Sequence, residues 1–500
     1  MSGRWTLGID VGTTSVKALV LDRAGRVVES TAAHHGISDH ADRVEVDAER
    51  WWDSLCTAVQ SLTVPLSEID AIGFSGNMSS VVLVDEALRP LRPAILLADT
   101  RGADQLATLP DEVTAGIVDA TGNVPETVFS LSPLLWLRDH EPEALTRCTA
   151  WLSSKDFLRA RLTGVIATEP TDAGNSLLLS DGAWADETIA ALRLPRTAFP
   201  TLLTSDGSGG AVSEDAGRLS GLSAGTPVAV GAGDVAAALV GSGGLAPDQL
   251  AVSLGTSATL MAALADQHLS PQALNKLTVH PGADGGLFAL GSLLTGGLAL
   301  NWLRDSFGAS ALTAAESEPP LGELYFLPYL AGSGSPDFVP EMRGTVYGIT
   351  PATRPEQLVT ALMEAVSFDI AELIDAIGGD YRRIVLSGGG SRLPAWPQVL
   401  ADVTGIPVTR FDAPDLSAIG AAVLAWRLLG VKVEAAGEHA DVLPRPEYAP
   451  RWSRRRATYR LARAHALDHY TSTVLATRPA PAGSTASSPT TVSTDRKQHP

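Results

Sequence analysis

The chain is 500 residues long, 45% hydrophobic and 19% charged, a composition that fits two or three folded domains and excludes a disordered or fibrous protein. Its net charge of −19 makes nucleic acid and anionic membrane poor partners, and two cysteines, Cys56 and Cys148, are too few for a disulfide framework or a zinc site. No apolar run reaches transmembrane length and residues 1–10 lack a signal-peptide core, so a cytoplasmic protein is expected.

Residues 5–10 read as a strand ending in the carboxylate of Asp10. Val11-Gly-Thr-Thr-Ser15 makes a tight turn, and 16–21 and 26–30 follow as strands. Asp47 can cap a helix over 49–62, where Trp51, Trp52, Leu55, Val59 and Leu62 recur at helical spacing. Strand 69–74 opens into Ser75-Gly-Asn-Met-Ser-Ser80. Strands 81–84 and 94–97 come next, the latter emptying into Ala98-Asp-Thr-Arg101. Residues 131–138 and 155–162 look helical, and 201–220 loop-rich. Strand 226–230 then runs into Gly231-Ala-Gly-Asp234 and an alanine-rich helix.

The second half repeats the opening. Strand 249–253 enters the turn Leu254-Gly-Thr-Ser257 and returns as a strand, so Thr256 occupies the place of Thr13. Two such hairpins suggest a duplicated fold with a ligand between the copies. A helix over 295–307, the loop 329–336 and a long helix over 355–377 follow. Strand 383–386 runs into Ser387-Gly-Gly-Gly-Ser391. Helix 394–403, strand 407–411 and helix 416–429 complete an alternating βαβα pattern. Beyond 477 the chain is rich in Pro, Ser and Thr and is expected to be disordered.

Four stretches could carry chemistry. Asp10 with Gly12, Thr13 and Thr14 can hold Mg²⁺ through water and meet phosphate oxygens with turn N–H and hydroxyl groups. Gly255-Thr256-Ser257 matches it, and two such turns facing each other would clamp a polyphosphate. Each alone is equally an ordinary hairpin turn. Gly388-Gly-Gly-Ser391 could lie against an adenosine, but Leu393 breaks the G-x-G-x-x-G spacing of a dinucleotide site. Asp234, at a strand's carboxyl end, suits the base that accepts a hydroxyl proton in phosphoryl transfer, and also suits a helix N-cap. Asn77, Met78, Ser79, Ser80 and Asp99 end first-half strands where a polyol could bind. Asp172 reads as a turn residue, Lys17 as a surface charge, and the His34–His35 pair as a solvated loop.

Together these blocks resemble the FGGY carbohydrate kinases of the actin/Hsp70/sugar-kinase superfamily, over about residues 5–475. The resemblance also covers Leu91 to Leu96, Thr121-Gly-Asn123, Leu134-Leu-Trp136, Lys155-Asp156, Pro328 to Gly332, Arg343-Gly344 and Leu400 to Gly405. It implies an α/β fold of two RNase H-like domains flanking a cleft. Residues 1–243 would form the sugar-binding domain, 244–476 the ATP-binding domain, and 477–500 a tail. Asp234 would be the general base and Asp10 would help place Mg²⁺. Thr13, Thr14, Gly255 and Thr256 would contact phosphates, and Gly389 and Gly390 the adenosine. Met78, Ser79, Asp99 and Asp234 would contact the sugar. The partners implied are ATP, Mg²⁺ and a small sugar or polyol, with a homodimer left open.

Within the family the chain looks most like the branch that phosphorylates D-xylulose, which implies the C5 hydroxyl of a ketopentose as acceptor. That branch carries Met-His and Trp-Asn-Asp where this chain has Met78-Ser79 and Leu97-Ala98-Asp99, and a lysine where it has Pro133. Losing an imidazole and an amide changes which polyols a site can hold. A ribulose-, erythritol- or gluconate-type kinase, or a sugar-sensing pseudokinase, is the alternative.

Overall fold

The computed structural model describes residues 4–474, apart from 41, 314, 316–317 and 319–321. The expected disordered tail at 477–500 lies outside the described residues.

The first sheet is built on β1 (Trp5–Val11), β2 (Ser15–Asp22), β3 (Val27–His34), β4 (Ile69–Gly76) and β5 (Pro227–Ala229), with Ser208–Ala211 on its outer edge. The second comprises β6 (Gln249–Leu254), β7 (Ala258–Leu264), β8 (Thr278–Pro281), β9 (Leu287–Leu293), β10 (Arg383–Ser387), β11 (Val408–Asp412) and β12 (Glu438–Val442). Both have one topology. β1 pairs antiparallel with β2 and parallel with β4, as β6 pairs antiparallel with β7 and parallel with β10. The duplication expected from Thr13 and Thr256 is thus a duplication of whole sheets.

The helices that matter are α1 (Ala48–Gln60), α2 (Ser154–Thr163), α3 (Pro170–Gly174), α4 (Asp234–Gly241), α5 (Gly297–Phe307), α6 (Pro355–Ile377), α7 (Ala395–Thr404), α8 (Leu416–Leu428) and α9 (Ala449–Asp468). The Asp47 carboxylate caps α1 by accepting from Glu49 N–H, a contact that stabilises by about 1 kcal/mol. Trp51, Leu55 and Val59 of α1 are fully buried under the first sheet. Each such side chain stabilises by roughly 1.5–3 kcal/mol.

The halves meet at α4 and α8. Their alanines join Leu19 and Leu21 of the first sheet and Ala251, Met261 and Phe288 of the second in one shared core. Helix α8 lies almost on the first sheet, because Gly8 and Gly73, register partners on β1 and β4, leave the space. A Cβ on them would fall 2.0 Å from Ala418 O and 1.9 Å from Ala421 O. Thr6 Oγ1 donates to Ala422 O at 2.9 Å across the same contact.

The loop-rich reading of 201–220 misses two short strands and a helix at Glu214–Ser220. Sequence patterning also gave no element at the arginine-rich α9. In the fold those arginines lie against acids of α6: Arg455 on Glu364, Arg460 on Glu372, Arg463 on Asp369.

Candidate active site

Both hairpins present their tips at corresponding sheet ends. Thr13 and Thr14 are exposed on the turn closed by Gly12 N–H to Ser15 O at 2.9 Å. His35 is no solvated loop residue: its N–H donates to Thr14 O at 2.9 Å, and its Nε2 accepts from Trp51 Nε1–H at 3.1 Å. On the second hairpin Thr256 is exposed, while Gly297 N–H donates to Gly255 O (2.7 Å) and Leu298 N–H to Thr256 O (2.9 Å). The start of α5 therefore braces that turn, a role the spacing of residues 295–298 did not announce. Gly389 is exposed with open space about it, whereas Gly390 is buried against Leu254 and Trp396. Of the two, Gly389 offers a surface to a ligand.

Asp10 ends β1 beside Ser75 of β4, whose hydroxyl donates to Asp10 Oδ1 at 2.9 Å. Burial raises the Asp10 carboxyl above its ordinary range, against the Ser75 bond and the Lys17 charge. Lys17 is not a free surface charge; it pairs with Asp415 at the start of α8. Among the described residues no group of three or more His, Cys, Asp or Glu could hold a metal. A cation at Asp10 would therefore take its other ligands from phosphate and water, which is how Mg²⁺ usually binds.

Asp234 opens α4 rather than capping it: Gly233 is the cap residue, and the Asp234 carboxylate accepts from Val235 N–H at 2.8 Å. Residues 232–233 pair with Ser75 and Gly76 of β4, which sets Asp234 near Asp10. Desolvation, then the Asp10 charge, push its pKa up to about 7. A partly exposed carboxylate so tuned can accept a proton near neutral pH.

Asp172, read as a turn residue, instead belongs to a buried charge cluster behind Asp234. Lys155 Nζ lies 2.9 Å from Asp156 Oδ1, 3.0 Å from Asp172 Oδ2 and 3.2 Å from Glu169 Oε1. Burial alone would lower the lysine's pKa, but the three carboxylates hold it above its ordinary range. Burial raises Asp172 to about 6 against the pull of Lys155. Glu169 escaped the sequence reading, although an acid before Pro170 is a helix-start signal: it caps α3.

The polyol candidates divide. Met78 is buried beside Gly233, where an added Cβ would lie 3.2 Å from Met78 Cγ. Ser79 holds φ +61°, an uncommon value for a non-glycine residue. Asn77 Nδ2 donates to Val11 O at 2.9 Å, and Ser80 Oγ accepts from Ser154 N–H at 2.9 Å, so both support the loop. Asp99 departs from the expectation of a free sugar ligand. Its oxygens accept from Val44 N–H (2.8 Å), Arg101 N–H (3.1 Å) and Arg101 Nε–H (2.8 Å), and Arg101 also pairs with Glu45. Leu97, two residues before it, is exposed.

No described helix is long and apolar enough to cross a membrane. Comparison with known proteins identifies the family. The models for the FGGY family of carbohydrate kinases match residues 5–241 (N-terminal domain) and 250–429 (C-terminal domain). The xylulose kinase of Klebsiella pneumoniae is 33% identical over 436 residues, covering 84% of this chain and 89% of that protein. The solved xylulose kinase from Rhodospirillum rubrum is 27% identical with a TM-score of 0.83, over 94% of this chain and 100% of that one. A gluconate kinase from Lactobacillus acidophilus also gives 0.83, at 20% identity over 94% and 99%, a likeness of fold alone. Matches running through both halves, over sheets of repeated topology, lead to one conclusion: the chain belongs to the FGGY family of carbohydrate kinases and is a sugar kinase.

Proposed function

We propose that the chain transfers the γ-phosphoryl group of ATP to D-xylulose, giving D-xylulose 5-phosphate, with Asp234 as general base. The observation that carries this reading is Asp234 itself, at the start of α4 beside the Asp10 charge with a pKa near 7. A base tuned to the working pH takes the proton of the attacking hydroxyl most effectively. As Asp234 removes that proton, the sugar oxygen attacks the γ-phosphorus in line and ADP leaves. Residues 1–243 carry Asp234 and the sugar wall of Met78 and Ser79. Residues 244–476 carry the nucleotide, with Gly389 at the adenosine and Gly390 packed behind it against Leu254 and Trp396. Thr13, Thr14, Gly255 and Thr256 meet the phosphates from opposing hairpins. Asp10 would hold Mg²⁺ through water, and the metal would neutralise phosphate charge.

The name of the Klebsiella relative supports xylulose. A second reading, another ketose, a polyol or a sugar acid, is favoured by Ser79, by exposed Leu97 and by the commitment of Asp99 to Arg101. ADP release over D-xylulose, ribulose, erythritol and gluconate separates the two. D-xylulose should be the strongest substrate. If it is inert while another compound is turned over, the substrate is wrong but the chemistry stands. Sugar binding without turnover of any compound would mean a sensor rather than a kinase.

A further inference from the structure

Residues assigned to neither sugar nor nucleotide hold the segment that carries Asp234. Gly233 N–H donates to Thr171 Oγ1 at 2.7 Å, and that hydroxyl donates in turn to Glu169 Oε1 at 2.7 Å. Glu169 also accepts from Thr171 N–H (2.8 Å), Asp172 N–H (3.2 Å) and the Ser205 hydroxyl (3.0 Å), while Lys155 balances its charge. With every acceptor site engaged, Glu169 leaves the Thr171 hydroxyl one orientation, lone pair toward Gly233.

Helix α3, which carries Thr171, is gripped from the second half as well. Asn175 Nδ2 donates to Thr171 O at 3.0 Å, and Asn175 Oδ1 accepts from His280 at 3.0 Å. Gly174 abuts Pro281, whose Cδ would lie 2.6 Å from an added Cβ. On the other side, residues 232–233 are fixed to β4. The Gly233 amide is the joint between these two supports, one peptide before Asp234.

We infer that Thr171 is a positioning residue for phosphoryl transfer: its hydroxyl, aimed by Glu169, fixes the Gly233 amide and so the direction from which Asp234 meets the sugar hydroxyl. The inference rests on the reading of Asp234 as base. Misplacing a reacting group by about 1 Å can cost roughly 10²-fold in rate. Valine matches threonine in shape but removes the hydroxyl, leaving the Gly233 N–H without its acceptor and Glu169 Oε1 with one donor fewer.

The test is steady-state kinetics of Thr171→Val, Thr171→Ser, Glu169→Gln and Asp234→Asn, with the best sugar of the panel and ATP, beside thermal melts. Thr171→Val should lower kcat by about 10-fold or more with both KM values within about 2-fold, and Thr171→Ser should regain at least about half of kcat. Simple destabilisation would lower the melting temperature without this kcat-against-KM split and without rescue by serine. Wild-type kcat in Thr171→Val, or serine as slow as valine, overturns the inference when Asp234→Asn is inactive. If Thr171→Val does not fold, Glu169→Gln decides: a several-fold lower kcat at unchanged KM supports it, and a wild-type kcat refutes it. Normal turnover in Asp234→Asn would instead remove the base reading on which the inference stands.

Discussion

The side-chain amide of Asn123 pairs with Val279 as a neighbouring strand would: Nδ2–H donates to Val279 O and Val279 N–H donates to Oδ1, both at 2.8 Å. Val279 lies on β8, the edge strand of the second sheet, so the first half caps the open edge of the second. Asn123→Ala leaves both backbone groups buried without partners, at about 1–3 kcal/mol each. The unfolding free energy from urea titration, followed by tryptophan fluorescence, should fall by about 2–6 kcal/mol for the two groups together, with a lower midpoint. An unchanged midpoint would mean the pair adds nothing to stability.

His280, next along β8, titrates in a range that stability can read. It is buried, donates to Asn175 Oδ1, lies 2.7 Å from Thr278 Oγ1, and desolvation lowers its pKa to about 4. The unfolded chain takes up this proton near pH 6.5, the folded chain only near pH 4. Its contribution is therefore complete above about pH 6.5 and is lost as pH falls toward 4, by roughly 3 kcal/mol in all. His280→Gln should flatten the stability profile between those limits. A profile as steep as the wild type would assign the loss to other groups.

Lys155 lies within 3.2 Å of carboxylate oxygens on three buried acids, Asp156, Glu169 and Asp172, and Arg159 shares only Asp156 with it. Removing one partner of a buried ion pair typically costs about 3–5 kcal/mol, because the charges left behind are uncompensated. Lys155→Met should therefore melt well below the wild type or fail to accumulate as folded protein. A melting temperature within a degree of wild type would show that these carboxylates are neutral in the fold.

Local signals carried much of this architecture. Helix α6 was bounded correctly because Pro355 opens it and a helical period runs unbroken to Ile377. The hairpins at Thr13 and Thr256 were legible from Gly/Thr turns between apolar strands. Charges that find partners far along the chain were not. Lys17 meets Asp415, and the arginines of α9 meet acids of α6, pairings that no sequence window contains. Asp172 reads as a turn residue and Glu169 draws no reading at all, yet both are buried around Lys155. The Asp234 site was visible as a carboxylate after a strand. The support under it, running through Thr171, was not.

With Asp234 as the base, the pH dependence of kcat/KM should carry its mark. Desolvation and the Asp10 charge hold its pKa near 7, and only the ionised carboxylate can take the hydroxyl proton. Below about pH 7 the wild-type kcat/KM should fall towards tenfold per pH unit, because the base binds its own proton. An acid limb near the ordinary carboxylate pKa of about 4 would place the base elsewhere or its environment wrong.

Asp234→Asn keeps the shape at the start of α4 and removes the basicity. The decisive measurement is its kcat for ADP release at saturating ATP and sugar, compared with wild type at pH 8. The account predicts a fall of roughly 10² or more with the fold intact by thermal melt. Turnover within a few-fold of wild type would contradict it.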